Sequence, residues 1–389
     1  MTEQLLRRFV RDYGKVQDAQ VRERYGMLSG GVGIFLNLLL SAGKFFAGVL
    51  TGSISITADA FNNLSDAGSS VVTLVGFRLA GQKADDDHPF GHGRIEYLAG
   101  LLVSMLILLV GVELGKSSLE KIFHPEPVAF SVVSAGILLC SIAVKLWMCF
   151  FNRDLSRRIG SAAMAATAAD SLSDAAATSA VLLGTVVGAV TGVSIDGWVG
   201  VLVALFILRA GWEAAKDTVD PLLGQTPDRD LVREIEQTIL AHPEVVGIHD
   251  LIIHDYGPGR SMMSFHAEVP MNADIMAAHD VIDHIERELK EKFGIETSAH
   301  MDPIATEDEG VNCTRLWVTR QVKELDERLT IHDFRMTAGP NHTNLIFDVV
   351  APHHFSMEDE ALAAAIQQRI REHDPNCYAV IQVDHAYVE

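Results

Sequence analysis

Ala58-Asp59-Ala60-Phe61-Asn62-Asn63-Leu64-Ser65-Asp66 interrupts an apolar run, Ile54–Leu79, that is otherwise long enough to cross a bilayer. A similar interruption, Ala169-Asp170-Ser171-Leu172-Ser173-Asp174, stands in a second run, Ala162–Val187. An ionisable residue inside a membrane span is costly, so it is a functional candidate by default. Asn62 and Asp66 are four residues apart, as are Asp170 and Asp174, so each pair projects from one helix face. Turned toward each other, the two faces offer one amide and three carboxylates, a set suited to a divalent cation. Capping, kinking or pairing within a bundle is the structural alternative. No Lys or Arg stands near either pair in the sequence, so the carboxylates are expected to have no counter-charge from the protein.

Four more apolar runs lie around these two: Met27–Leu50, Tyr97–Leu119, Val128–Phe151 and Trp198–Ala215. Six runs of about 20 residues or more predict an α-helical membrane protein with six transmembrane helices over residues 27–220, behind a polar arm over residues 1–26. Basic residues crowd the arm (Arg7, Arg8, Arg11, Lys15), the loop of Lys83 and Arg94, and the loop of Arg153, Arg157 and Arg158. The connections Thr51–Ser53 and Thr191–Asp196 hold none, and Lys121 is the one outside exception. This asymmetry puts both termini in the cytoplasm and the chain in an inner or plasma membrane.

Past Pro227 the chemistry changes. The chain of 389 residues carries a net charge of −20, and residues 228–389 hold 31 acidic against 13 basic residues, with 13 of the 16 histidines. That balance argues against a nucleic-acid partner, which needs clustered Lys and Arg, and favours cations. Cys140, Cys149, Cys313 and Cys377 form no CxxC pair, so neither a disulfide framework nor a thiolate zinc site is expected. Leu231–Leu240 reads as a helix, Val246–His254 and Met262–Val269 as strands, Ala273–Lys292 as a helix and Ile295–Met301 as a strand. This order suits a ferredoxin-like module over residues 221–305.

The pattern then repeats over residues 306–389. Ile331-His332-Asp333-Phe334 echoes Ile248-His249-Asp250-Leu251 at a distance of 83, Ala338-Gly339-Pro340 echoes the Gly257-Pro258 turn, and Val349-Val350-Ala351-Pro352 echoes Glu268-Val269-Pro270. Glu358–Arg371 is the second module's helix and Ala379–His385 its closing strand.

Donor chemistry narrows the ion. Oxygen-only donors are hard and favour Mn²⁺, Ca²⁺ or Mg²⁺, whereas Zn²⁺ recruits His or Cys, and no histidine lies in either carboxylate-bearing span. Mn²⁺ is favoured, with Zn²⁺ and Fe²⁺ open. In the loop after the second run, His88 and His92 straddle Pro89-Phe90-Gly91, a turn able to bring both rings to one ion. No HExxH, GxSxG or phosphate loop occurs, which argues against an enzyme. A membrane-anchored metal sensor is the other functional class, although an anchor has no need of buried aspartates.

The two interrupted runs, together with Asp87-His88-Pro89-Phe90-Gly91-His92-Gly93-Arg94-Ile95-Glu96, resemble the cation diffusion facilitators, six-span metal–proton antiporters, over roughly residues 20–305. The resemblance implies that Asn62, Asp66, Asp170 and Asp174 are the transport site, and an Asn-Asp plus Asp-Asp set resembles the manganese-transporting branch. Asp59, on the same face, is an outer-shell or proton-handling group by this reading, or a packing residue. The resemblance further implies a loop metal on Asp85, His88 and His92, which manganese-like relatives need not keep. It also implies a cytoplasmic metal cluster on His249, His266, His279, His300 and Asp302, with His279 bridging or contributing across a homodimer. Clustered carboxylates repel one another, so protons are expected on them when metal is absent, to be displaced as metal enters. The second module departs from the family, where one such domain is usual. Its counterparts, His332, Asp348 and His385, read as a degenerate site, with the module serving dimer contacts or regulation.

Overall fold

The computed structural model describes residues 2–16, 18–51, 54–124, 132–191, 195–338 and 342–385. The expected Gly339-Pro340 turn, the start of the Val128–Phe151 run and parts of the connections Thr51–Ser53 and Thr191–Asp196 lie outside these residues. The chain divides into two compact units, residues 1–225 with 255–260, and residues 226–254 with 261–389.

The first unit opens with a short helix, α1 (Thr2–Phe9), inside the arm that the sequence reads as merely polar. Its Leu6 is fully buried and packs with Val21, Tyr25 and Leu155 in one cluster. Six long helices follow: α2 (Ala19–Thr51), α3 (Ile54–Ala80), α4 (Ile95–Phe123), α5 (Val132–Ile159), α6 (Ala162–Thr191) and α7 (Asp196–Leu223). Among the described residues, five of them, α2, α4, α5, α6 and α7, are long and apolar enough to cross a membrane. Large apolar side chains face outward along them, among them Phe35 (65% exposed), Leu109 (62%) and Leu202 (69%), as a lipid-facing surface requires.

Small residues set the approach of α2 to α3. Gly26, Gly30 and Gly33 recur along one face, and a Cβ at each would come within 2.0 Å of Phe77, 2.6 Å of Leu74 and 2.4 Å of Ser70 respectively. Close backbone packing of this kind substitutes for a hydrophobic drive that lipid cannot supply. Buried polar pairs tie further helices together: Arg22 with Glu96 at 3.1 Å, and Ser29 donating to Asn152 Oδ1 at 2.7 Å.

The second unit holds two modules of the same order. The first is α8 (Arg229–Leu240), β1 (Gly247–Asp255), β2 (Ser261–Pro270), α9 (Ile275–Phe293) and β3 (Glu296–Ile304). The second is α10 (Glu309–Lys323), β4 (Thr330–Ala338), β5 (Thr343–Ala351), α11 (Asp359–His373) and β6 (Cys377–His385). Helix α10 stands ahead of β4 as α8 stands ahead of β1 and is its counterpart. Each module carries a three-stranded sheet, β1-β2-β3 or β4-β5-β6, with β2 parallel to β3, β4 antiparallel to β5, and β5 parallel to β6. Aspartates start three of the helices: Asp228, Asp274 and Asp308 each accept two backbone N–H groups at the first turn. The sheets bury alternate residues against their helices, with Phe265 and Phe347 at the centre of the two cores.

Candidate metal centres

The polar interruptions of α3 and α6 do converge. Asp170 Oδ2 accepts from Ser69 Oγ of α3 at 2.7 Å, and Thr73 and Thr167 share a hydrogen bond at 2.8 Å one turn along. The expectation that these carboxylates lack a counter-charge is overturned. Lys145 of α5, almost wholly buried, reaches Asp66 Oδ2 at 2.7 Å and Asp174 Oδ2 at 2.5 Å. The signal was in the sequence, since Lys145 is a lone charge within the Val128–Phe151 run, but only tertiary packing brings α5 against the other two helices. Asn62 lies exposed on α3, whereas its neighbour Asn63 is buried and accepts from Lys44 at 2.8 Å. The Asp59 side chain lies outside the described residues.

Asp85, His88 and His92 come together in the loop between α3 and α4, their ligand atoms all within 4.8 Å of one another. His92 Nδ1 donates to the Lys83 carbonyl at 3.2 Å, which leaves Nε2, 3.5 Å from Asp85 Oδ2, free to ligate. The His88 backbone N–H donates to Asp85 Oδ1 at 2.7 Å, and this bond above all holds the Asp85 carboxyl below its usual range.

In the first module, β1, β2 and β3 put His249, His266, His300 and Asp302 on one face of the sheet. Asp302 gathers the rings: His266 Nδ1 donates to it at 2.8 Å, His249 Nε2 lies 3.2 Å away and His300 Nε2 3.4 Å. Strand pairing explains the arrangement, because His266 stands directly beside His300 in the parallel register and β-strand side chains alternate in period two. His279 sits exposed on α9 and is not part of this group within one chain.

The second module brings His332, Asp348 and Asp384 to within 4.8 Å of one another. His385, expected here, faces elsewhere: Nδ1 donates to the Ala351 carbonyl at 3.1 Å and Nε2 lies 3.2 Å from Asp359. The reason is a one-residue difference in the hairpin. The offset of 83 relates His249 to His332, but beyond the turn β5 and β6 follow at 82. Asp348 pairs with Gln382 as His266 pairs with His300, so Asp384, not His385, stands where Asp302 does. Asp250 and Asp333, each following the histidine of its module's first strand, share a left-handed backbone (φ 50° and 51°), a conformation that aspartate tolerates better than most residues. Burial, together with the neighbouring Asp384, pushes the Asp348 carboxyl upward, against the pull of His332.

Comparison with known proteins follows the same division. Residues 32–223 match the cation efflux transmembrane domain, and residues 227–304 match the cytoplasmic domain of cation efflux proteins. The manganese efflux system protein MneS of Bacillus subtilis is 31% identical over 297 residues, covering 72% of this chain and 99% of that protein. The cation-efflux pump FieF of Salmonella newport is 30% identical over 297 residues, covering 73% and 95%. An uncharacterized transporter of Methanocaldococcus jannaschii is 28% identical over 267 residues, covering 68% and 94%. Two domain matches in the right order and relatives alike over more than two thirds of the chain agree with aspartates gathered between α3 and α6: the chain belongs to the cation diffusion facilitator family of membrane cation-efflux transporters.

Proposed function

We propose that the protein exports a divalent metal ion, Mn²⁺ foremost, across the inner or plasma membrane in exchange for protons, and that Asn62, Asp66, Asp170 and Asp174 are the ligands along its path. One observation carries this reading: carboxylates of α3 and α6 converge on a single buried cation, Lys145 Nζ. A bundle that draws two aspartates from different helices to one positive charge offers a place for a metal ion. The oxygen donors favour Mn²⁺, and the name of MneS, which covers nearly its whole length in the match, points the same way.

On this reading α3 is the sixth span, less apolar because it carries the ligands, and both termini are cytoplasmic. Each αββαβ module is an open ferredoxin-like sandwich, and the first contributes to a homodimer, as the family's cytoplasmic domain does. Entering metal displaces whatever neutralises the carboxylates, protons among them, and the alternating exposure of the site returns those protons inward. His249, His266, His300 and Asp302, with His279 from a second copy, form the cytoplasmic regulatory cluster, while Asp85, His88 and His92 hold a loop metal.

Zn²⁺ or Fe²⁺ is the second reading, favoured by the imidazole-rich clusters of the loop and tail. Proteoliposome uptake under an imposed pH gradient, with Mn²⁺, Zn²⁺ and Fe²⁺ offered separately, tests both. Mn²⁺ moving fastest, driven by the gradient and lost in Asp170→Ala, bears out the proposal, as does Asp170→His turning preference toward Zn²⁺. Equal Zn²⁺ transport by the unmodified protein removes the donor-hardness argument. Metal flux indifferent to the gradient removes antiport, and no flux at all leaves the membrane-anchored sensor.

A further inference from the structure

His332 is a buried histidine with nothing to do. Its side chain is 8% exposed, and neither ring nitrogen has a hydrogen-bond partner. A buried imidazole normally satisfies at least its N–H, because leaving a buried donor or acceptor unmade costs about 1–3 kcal/mol. Two carboxylates from the neighbouring strands surround it instead. His332 and Asp348 are directly paired residues of β4 and β5, and Asp384 Oδ2 of β6 lies 4.0 Å from His332 Nε2, too far for a hydrogen bond. Gln382 donates to the other oxygen of Asp384 at 3.0 Å and so turns the free one toward the ring.

We propose that His332, Asp348 and Asp384 form a divalent-metal site in the second module. The site has changed its donors rather than lost them. Where the first module presents His249, His266, His300 and Asp302, the second presents His332, Asp348, Gln382 and Asp384 at the corresponding places of the sheet. Two imidazoles have given way to a carboxylate and an amide, while the anchoring histidine and the last aspartate are kept. One nitrogen and two carboxylate oxygens, with water completing the shell, suit a borderline transition ion such as Zn²⁺, Co²⁺, Fe²⁺ or Mn²⁺. An all-oxygen ion such as Ca²⁺ has less use for the imidazole.

The site does not stand alone. The His332 ring stacks on the ring of His249, with centroids 4.3 Å apart and planes at 27°. His249 Nε2, itself buried without a hydrogen bond, lies 3.2 Å from Asp302. A ligand of the first module's cluster and a ligand of the second module's site therefore touch across the seam between the two modules. An ion on either fixes one ring of the stack, so filling one site orders a ligand of the other. The duplicated module thus supplies within one chain a second metal centre abutting the first. A neutral imidazole offers a single lone pair, so His332 can serve this ion or a His249–Asp250 site, but not both at once.

The test counts metal on the full-length protein in detergent micelles, stripped with chelator, reloaded with Zn²⁺ and desalted, with Co²⁺ absorption as a second readout. No transport is required, so the outcome is separate from that of uptake. Asp384→Asn and Asp348→Asn, which keep shape, and His332→Ala should each lose one ion per chain relative to the unmodified protein, with a matching loss of Co²⁺ signal. His266→Ala should leave that ion in place. Unchanged ion counts and Co²⁺ spectra in all three second-module variants overturn the proposal. So does loss of the ion in His249→Ala combined with its retention in the Asp348 and Asp384 variants, since the ion would then sit on the seam histidines. The Asn variants keep the result readable if His332→Ala disturbs the fold.

Discussion

Lys145 Nζ stands 2.7 Å from Asp66 Oδ2, and the same nitrogen lies 2.5 Å from Asp174 on another helix. One ammonium therefore bridges the two carboxylate-bearing helices. It is a rival for the carboxylates that a divalent cation would use, because the same oxygen lone pairs cannot fully serve both. Removing one partner of a buried ion pair typically costs about 3–5 kcal/mol, since the other charge is left uncompensated. Lys145→Met should accordingly destabilise the metal-free protein, and Mn²⁺ should restore the variant by more than it stabilises the unmodified chain. Thermal denaturation in detergent, with and without Mn²⁺, reads this directly. Equal melting of both proteins without metal would show that Lys145 contributes no net stability there.

The loop triad makes a narrower prediction. Asp85 touches both histidines and is the one anion of the group, so Asp85→Asn should weaken Zn²⁺ binding at the loop by tenfold or more, about 1.4 kcal/mol. Calorimetric titration of the full protein checks it. An unchanged binding isotherm would mean that the three side chains gather without holding an ion.

The two modules bury Phe265 and Phe347 at equivalent places, both fully enclosed. Replacing either by alanine should cost about 3–5 kcal/mol. Because each side chain belongs to a separate core, hydrogen exchange should rise mainly in the module that carries the substitution. Exchange rising equally in both would show that the modules unfold as one cooperative block.

Asp326 accepts from the Arg328 backbone N–H and guanidinium in the turn before β4, and the guanidinium contact, the larger cause, holds its carboxyl down to about 2. A carboxyl lowered on folding contributes stability above its unfolded value of about 3.9, and the contribution is lost as pH falls toward 2. Asp326→Asn should therefore melt below the unmodified protein at pH 7, with the gap closing between about pH 4 and pH 2. A gap independent of pH would assign the effect to turn geometry rather than charge.

Part of the candidate set stands out because its spacing is local: Asp170 and Asp174 lie one helix turn apart, and Asp85, His88 and His92 share one loop. Lys145 was not legible in its role, because its partners are 79 and 29 residues away. A lone lysine in an apolar run says only that something must neutralise it. Asp384, not His385, is the counterpart of Asp302 because the repeat offset falls from 83 at His249 to 82 from the Gly-Pro turn onward, and in a strand a slip of one residue turns the side chain to the other face. Helix α10 buries only Val318 and Val322 fully, a short apolar stripe that its sequence does not set apart from a loop.

Legible along the chain were the division into an apolar helical half and an acidic, histidine-rich half, and the repeat of the ββαβ part of the soluble module. Hydropathy and short-range periodicity are written along the chain, and they follow from helix and strand geometry alone. Tertiary structure decided which charges meet: Lys145 between Asp66 and Asp174, His332 against His249, and Asp384 beside both Gln382 and the second module's histidine. Those contacts depend on packing between elements distant in the chain, where a single turn length or one helix placed against another selects the partner.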